Sequence, residues 1–420
     1  MRSLSIRGLR VGALAAVAAV GIAGCGAAAV GSSSAKQPLT LGFLGALTGA
    51  RASLGQGMEL GAELAANQVN SHGGVMGHKL LLVAQDTASD PADAVAAADF
   101  EINSDHVVAI IGPTANTTAA VLPLAVKANI PELMFGGGAI FDQESSPYFF
   151  RLSPSDTEQA QAMAYFAHSK GWTRVALAIG EAPASQSLVG PLEASLKHLG
   201  ISIVANVGLT AGQSSYRSEV QQVYANHPQA VLGQFNNTTA GIFFGEAAQA
   251  GYSSVPFIGT NLWYSAAWVA AVGKSIASGP VFLTNSSTTG MVGAAEFIKL
   301  IQGKTGSPVP PNGAGFMYDA VTAWALGADV AKSWVWPKIE SGILTATADT
   351  AQTVPCGSYA TCYALLKQGK KIDFEGSQST VDFNKYHNVF GPFAVLRYNS
   401  QGTPVTVTNF TAPELQAAFK

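Results

Sequence analysis

Apolar positions along this chain follow two rhythms that alternate. Short runs that are apolar at nearly every residue (39–44, 80–83, 107–111 and 131–135) are separated by longer stretches with apolar residues at helical spacing (57–70, 91–102 and 117–128). A strand that is apolar throughout, rather than at every second residue, is covered on both faces. The βαβαβαβ order therefore predicts a parallel sheet flanked by helices. The rhythm restarts with a helix over 156–169. Strands follow at 175–179, 201–207, 230–235 and 256–259, and helices at 188–199, 216–224 and 242–250, the first and last of these stopped by Gly200 and Gly251. The fold class expected is α/β, with two doubly wound, Rossmann-like lobes of parallel sheet. Their border falls in 148–154, where a strand-like run reaches Ser153-Pro154-Ser155-Asp156, a helix-start signal. Segment 334–355 shows no clear period.

The first residues have a different character. Arg2, Arg7 and Arg10 flank an apolar run over 11–22, too short for a mature membrane span but suited to the core of a signal peptide. The run ends in Ile22-Ala23-Gly24-Cys25, and small residues before a cysteine resemble the bacterial lipobox, in which that cysteine becomes the lipidated first residue. Residues 1–24 are then a lipoprotein signal peptide and Cys25 the anchor. Residues 25–37, rich in Gly, Ala and Ser, form a flexible tether. The expected location is extracytoplasmic, on the cell membrane, held there through the lipid alone.

Composition narrows the function classes. Only 12% of the 420 residues are charged, against roughly 25% in an average soluble domain, which excludes a disordered or nucleic-acid-coating chain. Removing residues 1–24 takes away three Arg and no acid, leaving 20 basic against 26 acidic residues and a net charge of -6. Such a body is not drawn to nucleic acid or anionic membranes. Two cysteines remain, Cys356 and Cys362, which in an exported protein read as a local disulfide or else as two buried thiols. No G-x-S-x-G elbow, H-E-x-x-H helix or G-x-x-x-x-G-K-[ST] loop occurs, so neither an enzyme nor a metal or cofactor site is expected.

The stretch GGVMGHKLLLVAQDTASDPADAVAAADF at 73–100, followed by Val108-Ala109-Ile110-Ile111-Gly112-Pro113, closely resembles the leucine/isoleucine/valine-binding proteins. These are class I periplasmic solute receptors of branched-chain amino-acid ABC importers. Weaker support comes from Gly45-Ala46-Leu47-Thr48-Gly49, Tyr318-Asp319-Ala320-Val321 and the tail from Gly391-Pro392-Phe393 to Gly402. The resemblance implies two lobes joined by three crossovers, near 150–153, 282–285 and 390–395, which close on a ligand held between them. Lobe 1 would comprise 38–152 plus 284–388, and lobe 2 would comprise 153–283 plus 389–420. It also implies an ABC permease as partner and a small carboxylate or amino acid as ligand. The same fold could instead serve as a ligand-sensing subunit of a membrane signalling protein.

Candidate site residues lie where strands end and helices begin. The loop Gly112 to Thr118 opens a helix whose free N–H groups favour a carboxylate, and the resemblance places Ala115, Asn116 and Thr117 at the ligand's carboxylate. In the next loop Gly137 and Gly138 are ligand-contact candidates, with Gly138 standing where amino-acid receptors carry a hydroxyl. Those receptors hold the α-ammonium with an acid after a Phe-Ile-Gly strand. Here Phe257-Ile258-Gly259-Thr260 is followed by Asn261, which cannot neutralise a cation. Asn236 and Trp263 are expected to line the cleft. The ligand expected is thus a carboxylate without a charged amine, with an apolar or aromatic body, or an amino acid held in a rearranged way.

Overall fold

The computed structural model describes residues 36–420; the signal peptide, Cys25 and the tether up to residue 35 lie outside the described residues. One sheet is built from β1 (Leu39–Gly45), β2 (Leu80–Asp86), β3 (Ile110–Thr114), β4 (Glu132–Phe135) and β5 (Phe149–Arg151). Its order is β2-β1-β3-β4-β5, every pair parallel. A second sheet takes β6 (Arg174–Gly180), β7 (Ser202–Leu209), β8 (Ala230–Gln234), β9 (Phe257–Gly259) and β10 (Val281–Ser286). A two-stranded parallel pair, β11 (Val354–Cys356) and β12 (Ile372–Phe374), stands apart. Strands β13 (Phe393–Tyr398) and β14 (Pro404–Phe410) complete the second sheet in the order β14-β13-β10-β9-β8-β6-β7.

That second sheet is not parallel throughout. β13 runs antiparallel to β10, and β14 antiparallel to β13. The turn at 399–403, where the Asn399 amide donates to Thr403 O at 2.9 Å and Gly402 takes a φ of 82°, folds the tail straight back with no helix to cross over.

Helices α1 (Ala52–Ser71), α2 (Pro91–Asn103) and α3 (Ala115–Ala128) cover the first sheet, and α4 (Asp156–Ser169) opens the second lobe. There follow α5 (Pro183–Gln186), α6 (Val189–His198), α7 (Arg217–Tyr224), α8 (Asn237–Gln249), α9 (Ala266–Val272) and α10 (Lys274–Ala277). The chain then forms α11 (Ala294–Thr305), α12 (Ala314–Ala331), α13 (Lys338–Ala346) and α14 (Tyr359–Lys367), and it ends with α15 (Ala412–Ala418). Helix α12 is buried from Ala314 through Asp329, sandwiched between α1 and α13. Its core joins Trp324, Tyr318 and Phe297 to Phe43, Ile111 and Phe150 of the first sheet, so 294–381 packs on lobe 1. Separate cores line the two faces of the second sheet.

Several element bounds differ from the pattern reading for local reasons. β3 begins at Ile110 and runs on through Thr114, with a register shift after Ile111 and a φ of 100° at Gly112. Helix α8 starts five residues before the expected 242, because Asn236 caps it. Segment 334–355 holds α13, whose buried face is Ile339, Gly342, Ile343 and Ala346. That is helical spacing, but a glycine supplies one of the four positions. Gly342 is there because a side chain would strike the Gly327 carbonyl of α12.

The chain passes between lobes three times: after β5, after β10 and before β13. The three strands of this hinge are tied together. The Arg151 amide donates to His387 O at 2.9 Å, the Ser287 amide to Pro392 O at 2.9 Å, and Gln159 Nε2 to Thr284 O at 3.2 Å. β10 extends to Ser286, three residues beyond the expected end of that lobe 2 segment. Cys356 and Cys362 are disulfide-bonded, with Cα atoms 5.3 Å apart, which ties β11 to the first turns of α14.

Candidate functional site

The carboxyl ends of β1, β2, β3 and β4 gather four loops on lobe 1. Asp86, at the end of β2, organises the first of them. It accepts from the Leu47 and Ala88 amides, both at 2.8 Å, and from the Thr48 hydroxyl, and that hydroxyl bond holds its pKa below the usual carboxylate range. Asn116 ties the next pair: its Nδ2 donates to Ser89 O and its Oδ1 accepts from the Thr114 hydroxyl, both at 2.6 Å. Thr117 is buried, and its Oγ1 accepts from the Thr114 amide at 3.0 Å, the capping-box bond of α3. The side chains of Asn116 and Thr117 are therefore committed within the protein. What the start of α3 leaves open is backbone: the Asn116 amide has no partner among the described residues.

The glycine turn after β4 lies against this helix start. A Cβ on Gly138 would sit 3.3 Å from the Ala115 methyl, and Gly136, with a φ of 146°, closes on the Ala115 backbone. A side chain on Gly137 would strike the Asp156 carboxylate, at the start of α4 in lobe 2, and the Asp156 amide donates to Gly137 O at 2.6 Å. Ala115, Asn116, Gly137 and Gly138 thus share one corner, next to the first hinge strand.

Beneath that corner lies a buried ionic cluster. The Arg151 side chain is 1% exposed, and its Nη2 meets Asp142 Oδ1 at 2.6 Å. Its Nη1 donates to Gly138 O at 3.1 Å and to Gly137 O at 3.5 Å. Asp142 also accepts from the Thr157 hydroxyl at 2.6 Å, and Asp156 from the Ser187 hydroxyl at 2.5 Å. One guanidinium serves three carboxyl groups. Burial pushes Glu158 up to about 8 against the pull of Arg151, and raises Asp156 against the Ser187 hydroxyl bond and Arg151. Spacing along the sequence gave no sign of this cluster, because it assembles residues from both lobes.

On lobe 2 the expected residues separate. Asn236 is exposed, and its Oδ1 accepts the Thr239 amide at 2.9 Å, so its amide group caps α8. Asn261 is exposed at the start of a single 3-10 turn, Asn261–Trp263, and its side chain makes no hydrogen bond among the described residues. The expectation for Trp263 is corrected. Its ring is fully buried, donates from Nε1 to Phe235 O at 2.8 Å and stacks on Trp268 at 5.5 Å. The turn after β9 points its third residue back under the sheet, where a large aromatic ring recovers more apolar burial than it would at the surface. The apolar side chains left exposed by these loops are Leu262 (45%) and Tyr264 (41%) on lobe 2 and Ile140 (77%) on lobe 1. Leu262 and Ile140 have no motif around them and were not anticipated. Glu181 follows β6, but it is turned toward β7, accepting from the Thr210 hydroxyl at 2.6 Å, on the side of the sheet away from β9 and Asn261.

Among the described residues, no group of three or more His, Cys, Asp or Glu is arranged to hold a metal ion, and no helix is long and apolar enough to cross a membrane.

The profile of the Periplasmic binding protein family matches residues 38–403. The chain belongs to this family. Among curated relatives it is 28% identical to an amino acid binding protein of Pseudomonas aeruginosa over 203 residues, 48% of this chain and 54% of that one. It is 25% identical to a Leu/Ile/Val-binding protein homolog of Brucella melitensis over 284 residues, 66% of this chain and 76% of that one. The matched region thus spans about half the length of the Pseudomonas relative. Among solved structures, the branched-chain amino acid substrate-binding protein LivJ of Streptococcus pneumoniae, in complex with isoleucine, superposes with a TM-score of 0.70 at 21% identity. That match covers 89% of this chain and 99% of LivJ. A solute-binding protein of R. palustris in complex with benzoate gives a TM-score of 0.67 at 18% identity, covering 89% and 97%. At these identities the superpositions establish the shared two-lobed α/β fold of this periplasmic binding protein. Both curated relatives are named as binding proteins.

Proposed function

We propose that this periplasmic binding protein is the extracytoplasmic, lipid-anchored receptor of an ABC importer. In this reading its cargo is a small organic carboxylate without a charged amine, bound between the lobes. The observation that carries the reading is the pairing of two features. The unpartnered Asn116 amide at the start of α3 sits beside the glycine turn 136–138, whose Gly137 and Gly138 amides also have no partner among the described residues, which suits a carboxylate. Across from them, Asn261 supplies no charge for an ammonium, and Glu181, a carboxylate after β6, two strands from β9 in the sheet, is turned away. An ammonium brought here would lose hydration without gaining a counter-charge. Exposed Ile140, Leu262 and Tyr264 favour an apolar or aromatic body. The fold accommodates both chemistries in its structural relatives, one holding isoleucine and another benzoate.

Native mass spectrometry of freshly purified protein identifies what it carries. Calorimetry with leucine and with its oxo acid then tests charge selection. The oxo acid should bind more tightly to the wild type, and Asn261→Asp should shift preference toward leucine by one to two decades, the worth of a charge-assisted hydrogen bond of about 1.5–3 kcal/mol. Tight leucine binding by the wild type, unaltered or weakened in Asn261→Asp, refutes the reading.

A further inference from the structure

Three consecutive glycines, Gly136, Gly137 and Gly138, give a turn no side-chain preference for which way its peptide planes face. A plane that turns its carbonyl toward a bound anion repels it, and one that turns its N–H attracts it. Something outside the turn has to choose, and in this structure both carbonyl oxygens of interest are occupied. Gly137 O accepts from the Asp156 amide at 2.6 Å and from Arg151 Nη1 at 3.5 Å. Gly138 O accepts from Arg151 Nη1 at 3.1 Å and from the Phe141 amide at 3.1 Å. Gly137 O shares its peptide plane with the Gly138 N–H, and neither that amide nor the Gly137 amide has a partner among the described residues, nor does the Asn116 amide in the adjoining helix start.

We propose that Arg151 is the positioning residue that makes this corner anion-selective: its buried guanidinium holds the carbonyls of Gly137 and Gly138 and so turns the N–H groups that share those two peptide planes, those of Gly138 and Ala139, toward the ligand. The inference rests on reading the corner as the carboxylate site. The geometry requires an arginine. Its fork reaches Asp142 Oδ1 through Nη2 at 2.6 Å while Nη1 spans two successive carbonyls, and Asp142 is itself held by the Thr157 hydroxyl. Lysine supplies the charge but a single nitrogen, so it can serve the carboxylate or the turn, not both at full strength. Because Arg151 ends β5 where the chain first leaves lobe 1, the same side chain links the corner to the hinge.

The test uses the full chain labelled with 15N-glycine. Acetate is the charged probe and acetamide its neutral twin, and both are titrated while the Gly137 and Gly138 amide resonances are followed. In the wild type acetate should shift both resonances to saturation at lower concentration than acetamide. Arg151→Met should weaken acetate 10- to 100-fold and acetamide less than threefold, with Arg151→Lys between the two. Equal weakening of both probes, or none, overturns the role of Arg151 while leaving the carboxylate site intact. A wild type whose two glycine amides do not respond to acetate overturns the carboxylate reading and this inference together. Should Arg151→Met fail to fold, Asp142→Asn loosens the anchor and keeps the guanidinium. A 3- to 10-fold loss for acetate alone then supports the proposal, and an unchanged acetate-to-acetamide ratio refutes it.

Discussion

Glu101 on α2 is fully buried beneath β1, so close to Gly42 that a methyl group there would strike its carboxyl. Neither carboxyl oxygen has a hydrogen-bond partner among the described residues, the Phe43 amide being only a weakly favourable neighbour, and Asp105 adds repulsion. Burial pushes this group from 4.5 up to about 9, so the folded protein keeps a proton there that the unfolded chain gives up above pH 4.5. The stability associated with that proton is fully present below pH 4.5 and is lost progressively until the pH passes about 9. At about 1.4 kcal/mol per pH unit, the loss between pH 4.5 and 7.5 is about 4 kcal/mol. Glu101→Gln does not titrate, and whatever its amide costs in packing is the same at every pH. Urea unfolding of both proteins at pH 4.5, 6 and 7.5 should give a difference that moves steadily in favour of the variant, by about 4 kcal/mol across the range. Parallel pH profiles would show that Glu101 is ionised or solvated in the folded state, and the burial argument would fail.

Asn236→Ala removes a helix cap rather than a ligand contact, so it should lower stability by about 1 kcal/mol while ligand affinity by calorimetry stays within twofold. Replacing Cys356 and Cys362 together by Ser opens a short loop within lobe 1 and should cost about 2 kcal/mol in chemical denaturation with binding unchanged; a loss of binding would place this subdomain in the ligand site. Cys25→Ser should release the protein from membranes into the soluble fraction, and retention of the variant would contradict the lipoprotein assignment.

The alternation of continuous apolar runs with helical spacing was sufficient to set out two lobes of parallel sheet, because strands covered on both faces leave that mark in any sequence. The loop Gly112 to Thr118 was legible in the same way as the opening of a helix, which the structure starts at Ala115. What tertiary structure decided is where side chains spend their hydrogen bonds. Asn116 and Asn236 are of the type that binds ligands, yet one laces two loops together and the other caps a helix. Trp263 is in a loop next to polar residues and still turns inward to Phe235 and Trp268. The antiparallel hairpin β13–β14 comes from a turn that breaks the βαβ rhythm only at the end of the chain. The cluster of Arg151, Asp142, Asp156 and Glu158 joins residues that are near in sequence but split between lobes, and only the folded hinge buries them together. Periodicity reports which face of an element avoids water. It carries no record of which polar group on another element will meet a given side chain, since that depends on distances set only once the elements have packed.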